Sequence, residues 1–353
     1  MGGADERRAL PGWAPHALLG LLGLLLVALP ALVDAFLPSF YLPLATEMLI
    51  FGLFALGYDI IMGYTGMVSF GHAAFFGLGA YITGLTMVRL GLPLLPAMLL
   101  GALGATGAAA VIGFFSLRLR SVYFALLTFA FSQIFYQLVI TLTDLTGGYD
   151  GRALSVPMLW GIPDVLALNL RDRATLYYFV LAVVALTFLA MRRAMAAPFG
   201  QVLVAIRENE LRAATLGYPV ARYKQVAFVL SGLIGGLAGS LMVPYQRFIS
   251  PDLLYWELSG LVIVMVLLGG MGTLWGPVLG AALVVFLRDA FSGLPQPYGK
   301  HYLLPVGLIF ALLVIFAPHG LAGLLHRRRP PRRASGPLER GELAMPAADP
   351  PRG

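Results

Sequence analysis

The sequence predicts an all-α membrane protein that crosses the bilayer about ten times, on the basis of its composition, its long apolar blocks and the placement of its charges. Of its 353 residues, 59% are apolar and 12% are charged. That charged fraction is about half the value for soluble domains. Because backbone groups in lipid must be satisfied within their own segment, long apolar blocks form helices. A soluble enzyme and an outer-membrane barrel with alternating strands are therefore excluded.

The apolar blocks give the predicted spans in chain order. They lie at 17–37, 42–62, 66–88, 94–115, 121–143, 175–195, 225–245, 256–270, 276–291 and 302–317. The first block is longer than a signal-peptide core, so we expect it to remain as the first helix of a transmembrane domain at 17–317, after a polar segment at 1–16. Residues 318–353 are rich in Arg, Pro and Gly, which predicts a disordered basic tail. The stretch 256–291 is broken by glycines and is predicted as two spans or as a re-entrant pair.

The basic residues orient these spans. Two lie before the first span, six lie in 192–224 and seven lie after residue 326. Since Lys and Arg collect in cytoplasmic loops, all three segments are expected inside. This requires an even number of spans between them, and the six and four predicted spans fulfil it. Both termini and a loop at 196–224 are then cytoplasmic, and the mixed-charge loop at 144–174 is periplasmic. The net charge of +7 follows from this bias and predicts no nucleic-acid partner.

The fifth span carries a polar stripe. Its members repeat at four-residue spacing in two adjacent rows: Thr128, Ser132 and Tyr136, then Gln133, Gln137 and Thr141. On a helix these rows form one face. Polar groups in membrane helices face other helices or water. The stripe therefore predicts either a helix that lines a translocation pathway or interhelical hydrogen bonds that hold the bundle together, and both interpretations stay open.

Glycines interrupt the chain twice, at Gly63–Gly71 and at Gly269–Gly276. Paired interruptions of this kind mark binding regions in transporters. We therefore add five residues to the predicted pathway: Gly66, Ser69, His72, Gly270 and Gly272. Asp59 and His72 lie near the cytoplasmic ends of neighbouring spans, where they are predicted to pair, to form part of a gate, or to be solvated.

Several chemistries are absent from the sequence. A phosphate-binding loop needs a glycine-rich stretch ending in Lys and Ser or Thr, and neither Lys224 nor Lys300 stands in one. Carboxylates near the centre of a span, typical of ion-driven carriers, are missing; Asp289 lies towards an outer end. There is no cysteine, and no catalytic or metal-binding constellation. We expect a transporter subunit with no ATPase site, no metal and no cofactor of its own.

The cytoplasmic loop contains a predicted amphipathic helix at Ala205–Gly217. Ile206, Leu211 and Leu216 are spaced along one face, and Gly217 is a typical helix end. Such a helix lies on the membrane surface or docks into a groove of a partner. Two glutamates within a basic loop favour docking over contact with anionic lipid.

Four stretches also resemble one family, the branched-chain amino-acid ABC importer permeases of the LivM type. They are Gly63–Tyr81 (GYTGMVSFGHAAFFGLGAY), Thr146–Gly151 (TGGYDG), Ala205–Leu241 (AIRENELRAATLGYPVARYKQVAFVLSGLIGGLAGSL) and Leu268–Ala282 (LGGMGTLWGPVLGAA). They occur in the family's order between about residue 42 and residue 317. Tyr149, where a small residue is more usual, and the long tail depart from the pattern.

The resemblance implies the ABC importer permease fold in a bacterial inner membrane. It implies a second homologous permease, two cytoplasmic ATPase subunits that bind ATP, and a periplasmic binding protein that delivers leucine, isoleucine or valine and is received partly by 144–174. The loop helix would be the coupling helix on an ATPase, through these residues: Ala205, Arg207, Glu208, Glu210, Leu211, Ala214 and Gly217. Importers of urea or short amides remain the nearest alternative, since the same motifs fit them. A channel or ion-coupled carrier would leave the loop helix unexplained.

Overall fold

The computed structural model describes residues 14–36, 38–119, 121–154, 169–293, 307, 308, 311 and 320–325. Its longer helices are α1 (Ala14–Phe36), α2 (Tyr41–Asp59, continued by a π-helical turn, Ile60–Tyr64), α3 (His72–Leu90), α4 (Leu94–Ser116), α5 (Val122–Thr141), α7 (Arg173–Ala196), α8 (Pro198–Glu208), α10 (Val220–Gln246), α11 (Trp256–Gly269) and α12 (Trp275–Ser292). Short helices are α6 (Thr143–Thr146), α9 (Glu210–Thr215) and α13 (Gly320–Leu325), and two 3₁₀ turns lie at Gly148–Asp150 and Pro251–Leu254. Two strands, β1 (Arg152–Ala153) and β2 (Phe248–Ile249), pair antiparallel.

The predicted all-α, polytopic class is confirmed, apart from this short ribbon. Within the described residues, seven helical segments are long and apolar enough to cross a membrane, and Gly23–Val33 and Trp256–Gly269 are shorter apolar helices. The first nine predicted spans each coincide with a helix. The third begins later than predicted, at His72, because 66–71 is not helical. Most of the predicted span at 302–317, the tail and most of 1–16 lie outside the described residues, so the count of ten and the cytoplasmic termini stay predictions.

Helix α10 packs against α2, α3 and α4 through small residues. A methyl group on Gly79 would overlap the backbone of Gly236, and one on Gly101 would overlap the hydroxyl of Thr83. These helices therefore approach each other more closely than larger residues allow. Gly107, in contrast, faces open space, so it does not take part in this packing.

The connections between helices collect at two ends of the bundle. The loop-helix end comprises the π-helical turn, residues 65–71, α8, α9 and the turn 270–274. Asp59 and Arg207 connect these parts through hydrogen bonds with Gly272 and Gly63. The ribbon end comprises α6, β1, β2 and residues 169–173, joined by the strand pairing and by a hydrogen bond from Arg247 to the carbonyl of Arg171. This separation agrees with the predicted topology, which places 196–224 and both glycine breaks on one side and 144–174 on the other.

Between α10 and α11 the chain enters the bundle without forming an α-helix. We call residues 248–255, which comprise β2 and the second 3₁₀ turn, the entry segment. Ile249 lies beside Gly84 of α3, and Leu254 lies beside Gly77, seven residues along the same helix. Between Ile249 and Leu254 the entry segment therefore advances about 10 Å along the axis of α3, since a helix rises about 1.5 Å per residue.

Helix α11 has 14 residues and therefore starts inside the bundle, where Ser259 accepts a hydrogen bond from the Ala73 N–H at 2.8 Å. The stretch 256–291 therefore consists of a short helix, α11, and the 18-residue helix α12, and its arrangement as two spans or as a re-entrant pair stays a prediction.

Two introduced cysteines test which end faces the cytoplasm. The native chain has none, and Tyr149 at the ribbon end and Leu216 beside α9 are 73% and 72% exposed. We expect an impermeant maleimide added to intact cells to label Tyr149→Cys and to spare Leu216→Cys. Both should react once the cells are permeabilised. Labelling of Leu216→Cys alone in intact cells would contradict the predicted orientation.

Candidate functional site

The two glycine breaks meet at the loop-helix end, where Asp59 connects them. Its fully buried carboxylate accepts hydrogen bonds from the backbone N–H groups of Gly272, at 2.7 Å, and of Leu274, at 3.3 Å. Asp59 ends α2, and the π-helical turn brings Gly63 so close that a methyl group there would overlap Asp59 Oδ1 and Gly272 N. Since a buried carboxylate needs donors, these bonds hold the turn 270–274 against the end of α2.

Arg207 of α8 lies between the same two breaks. Its guanidinium donates a hydrogen bond to the carbonyl oxygen of Gly63. Its side-chain stem covers Gly66, whose φ is +74°, and its Nη1 atom lies 3.2 Å from where a Cβ of Gly272 would be. A side chain at Gly66 or Gly272 would therefore press on the arginine. One residue of the loop helix α8 thus lies against both glycine breaks.

The predicted helix at Ala205–Gly217 is wrong in one respect: it is two helices, α8 and α9. Asn209 separates them with an extended conformation, φ −158° and ψ 100°. Its side-chain oxygen accepts a hydrogen bond from the N–H of Arg212 at 2.9 Å and caps α9. As a result the expected common face does not form, since Ile206 is buried whereas Leu211 and Leu216 are 75% and 72% exposed.

The predicted coupling residues lie on the surface of this helix pair. On the two helices themselves, all six are exposed: Ala205, Arg207, Glu208, Glu210, Leu211 and Ala214. Glu210 pairs with Lys224 at 2.6 Å. Gly217 follows α9 with φ +90°, a left-handed conformation that favours glycine. The described chain therefore presents an exposed face with two large apolar side chains, Leu211 and Leu216, flanked by charges.

Ser69 and His72 anchor the segment between α2 and α3 rather than line an open space. The Tyr58 hydroxyl donates to the carbonyl of Ser69 at 2.9 Å. His72 Nε2 lies 2.7 Å from Ser231 Oγ, which donates its proton to the Gly57 carbonyl. Since a serine hydroxyl has one proton, His72 Nε2–H must be the donor of the former bond. The predicted pairing of Asp59 with His72 is wrong, because each is bonded to other partners.

The polar stripe of α5 divides into a buried and an exposed half. Thr128 and Ser132 are buried, and the Ser132 hydroxyl donates to the Leu254 carbonyl at 3.4 Å. Tyr136 packs against Tyr255, with ring centroids 5.3 Å apart. Gln137 is exposed and donates to Thr141 at 3.4 Å. Two members of the stripe, Ser132 and Tyr136, therefore face the entry segment, where backbone outside an α-helix exposes carbonyl groups that need donors. Its role in a pathway stays a prediction.

The predicted pathway residues consequently fall into three places. Gly66, Gly270 and Gly272 belong to the junction around Arg207, Ser69 and His72 to the buried anchor, and Ser132 and Tyr136 of α5 to the entry segment. Sequence reasoning missed Asp252 and Glu257, which lie on this segment and at the start of α11 and are both exposed. The composition could have shown that this connection is buried, because residues 248–256 are mostly apolar and aromatic, unlike a solvent-exposed loop.

Comparison with known proteins agrees with this architecture. The family model described as "Branched-chain amino acid transport system / permease component" matches residues 40–317. The LivM permease protein of the high-affinity branched-chain amino acid transport system of Escherichia coli K12 is 30% identical over 319 residues, covering 85% of this chain and 73% of that protein.

More distant relatives extend the agreement. A probable LivM permease of Methanocaldococcus jannaschii is 26% identical, covering 78% of this chain and 91% of the relative. The LivH permease of Escherichia coli K12 is 22% identical, covering 77% and 91%. PsaBC from Streptococcus pneumoniae, solved in complex with Fab, superposes with a TM-score of 0.42 at 17% identity over 84% of this chain and 97% of its own, a likeness too low to carry an argument. The chain is an integral, multi-pass membrane protein and belongs to the family of branched-chain amino acid transport permease components.

Proposed function

We propose that this chain is a permease subunit of an ATP-driven importer that moves branched-chain amino acids across the bacterial inner membrane. One observation carries the proposal: Arg207 of the loop helix α8 contacts both glycine breaks of the membrane core. An importer powered by separate ATPase subunits needs a loop outside the membrane that is joined mechanically to the transmembrane helices. This chain has such a joint and has no phosphate-binding loop in its sequence.

The packing behind α8 supports transmission into the bundle. Val202 and Ile206 of α8 and Ala213 of α9 form a small apolar cluster with Val220 and Tyr223 at the start of α10. Helix α10 in turn packs against α2, α3 and α4. Because packed interiors resist compression, a displacement of the helix pair α8–α9 would move the end of α10 together with the two breaks.

The exposed face of α8 and α9 supports docking on an ATPase subunit. Leu211 and Leu216 expose most of their surface beside Glu208, outside any predicted span. Apolar side chains rimmed by charge are typical of protein interfaces. We assign the coupling role to this face, and the reception of a substrate-binding protein to the ribbon end.

The names of the relatives support the remaining partners and the substrate. LivM and LivH are both named as permease proteins of one transport system in Escherichia coli, and this chain is similar to each. We therefore propose a second, homologous permease as the partner within the membrane. ATP is bound by the ATPase subunits, and leucine, isoleucine and valine are the substrates.

A charge reversal on the docking face tests both the function and the coupling surface. We expect wild-type cells to take up radiolabelled leucine in an ATP-dependent manner and Glu208→Lys with Leu211→Asp to lower that uptake about tenfold or more. Since both side chains are exposed, the amount of inserted chain should not change. Uptake, ATP hydrolysis and chain abundance are measured in the same membranes.

Two outcomes would contradict these assignments separately. Unchanged leucine uptake in the double variant would remove the coupling role from this face while leaving the substrate intact. Uptake of urea without uptake of leucine in wild-type cells would overturn the substrate class, whatever the variant does.

A further inference from the structure

Three buried polar atoms without a partner lie on the helices that pack against the entry segment: His72 Nδ1 at the start of α3, and two others further along α3 and on α5. The hydroxyl of Tyr81 on α3 and the side-chain amide nitrogen of Gln133 on α5 form no hydrogen bond with any described residue. Tyr81 is 2% exposed. Buried polar groups are nearly always paired, and an unpaired one costs free energy. A polar ligand bound between these two neighbouring helices would satisfy both groups.

A carboxylate, Asp252, stands beside one of these donors, Tyr81, and beside Tyr136, which lies about one helical turn from Gln133 on α5. Asp252 is exposed, and its side chain accepts only a long hydrogen bond, from Ser250 Oγ at 3.3 Å, among the described residues. It interacts electrostatically with the hydroxyl groups of both Tyr81 and Tyr136. The nearby residue Leu254 lies beside Gly77, well inside the bundle. A carboxylate at such a depth is costly unless it meets a cation or water.

Aromatic rings complete the cluster. Tyr136 of α5 and Tyr255 of the entry segment are both half-buried and pack with ring centroids 5.3 Å apart. Aromatic faces attract cations and pack against aliphatic side chains. The cluster thus combines one negative group, two unpaired donors and an aromatic surface.

We propose that this cluster, Tyr81, Gln133, Tyr136, Asp252 and Tyr255, binds the zwitterionic backbone of the transported amino acid. Asp252 takes the α-ammonium group, and the Gln133 amide and the Tyr81 hydroxyl donate to the α-carboxylate. Charge-assisted hydrogen bonds of this kind discriminate strongly against uncharged molecules. The site rests on the proposed function and deepens it, since it excludes urea and short neutral amides as well-bound substrates.

Carbodiimide labelling of Asp252 tests the site directly. Native membranes that contain the complete transporter are treated with a water-soluble carbodiimide and an amine nucleophile, and modification is mapped by mass spectrometry. We expect leucine to slow the modification of Asp252 and urea to leave it unchanged. Isoamylamine, which has the ammonium group alone, should protect weakly, and isovalerate, which has the carboxylate alone, should not protect. Asp150, an exposed carboxylate at the ribbon end, serves as the matched internal control.

A variant separates the two halves of the site. In Gln133→Leu, leucine should protect Asp252 no better than isoamylamine does, and the KM for leucine uptake should rise about tenfold. Modification of Asp252 that is equally fast with and without leucine in the wild-type protein would overturn the proposal. So would equal protection by sodium chloride at the same concentration. Leucine uptake in the same membranes distinguishes the two ways of failing: uptake without protection refutes this site alone, and urea uptake without leucine uptake refutes the function.

Discussion

Replacing Arg207 with alanine is expected to lower ATP-driven leucine uptake at least about tenfold, which is within the range of typical coupling free energies, while ATP hydrolysis continues. The guanidinium donates to the Gly63 carbonyl, and the stem covers Gly66 and approaches Gly272. Without it, a movement of α8 no longer reaches the two glycine breaks. Because Arg207 lies at the surface and contributes no buried apolar core, the chain should still insert and assemble.

Arg212→Ala is the matched control for this result. Arg212 lies on the adjoining helix α9, is also exposed, and contributes its backbone N–H rather than its side chain to the Asn209 cap. The two variants remove the same charge from the same loop, so a general effect of charge on insertion would affect both. Uptake and ATPase activity are measured in one membrane preparation, normalised to the chain present. Equal uptake in Arg207→Ala and Arg212→Ala would show that the contacts of Arg207 do not transmit the movement of α8 to the glycine breaks.

The helices of the bundle were predictable because their signals are local. The length of an apolar block predicts a membrane helix, and the basic residues predict which loops lie on the same side of the membrane. The first nine predicted spans therefore coincide with helices. Predictions failed where a polar side chain competes locally with the regular structure. Asn209 caps a new helix and divides the predicted loop helix, as its side chain can bond two or three residues onward.

The candidate site was predictable only in its parts. Sequence reasoning selected both glycine breaks and Arg207, yet no local pattern states that an arginine 144 residues away along the chain bonds the Gly63 carbonyl. Likewise, pairing with His72, a gate and solvation were all open for Asp59, and none of these alternatives named its bonds to Gly272 and Leu274. The entry segment was not predicted, because a stretch outside an α-helix is stable in a membrane bundle only where surrounding helices satisfy it. Whether surrounding helices satisfy such a stretch depends on tertiary packing, which no local sequence pattern shows.

Gly63→Ala is expected to cost the transporter about 2–3 kcal/mol of stability, or its assembly altogether, because the added methyl group has no room. It would overlap Asp59 Oδ1 and the Gly272 nitrogen, the two atoms of the 2.7 Å hydrogen bond between the breaks. Neither atom can withdraw without leaving a buried carboxylate or a buried N–H group unpaired. Thermal melting of the detergent-solubilised complex, followed by size-exclusion chromatography, measures the loss.

Two further variants separate this contact from a general intolerance of larger residues. Gly107→Ala places the same methyl group in a helix of the same bundle where nothing lies within 4 Å, so its melting temperature should equal or exceed that of the native protein. Asp59→Asn keeps the shape of the carboxylate but turns an amide N–H towards one of two backbone N–H donors, so it retains one hydrogen bond of two. Its loss should therefore fall between those of Gly107→Ala and Gly63→Ala. If Gly63→Ala has the same melting temperature as Gly107→Ala, the close contact at Gly63 is not needed to hold the two glycine breaks together. A movement of the loop helix would then have to reach the core through the apolar cluster around Ile206 and Tyr223 instead.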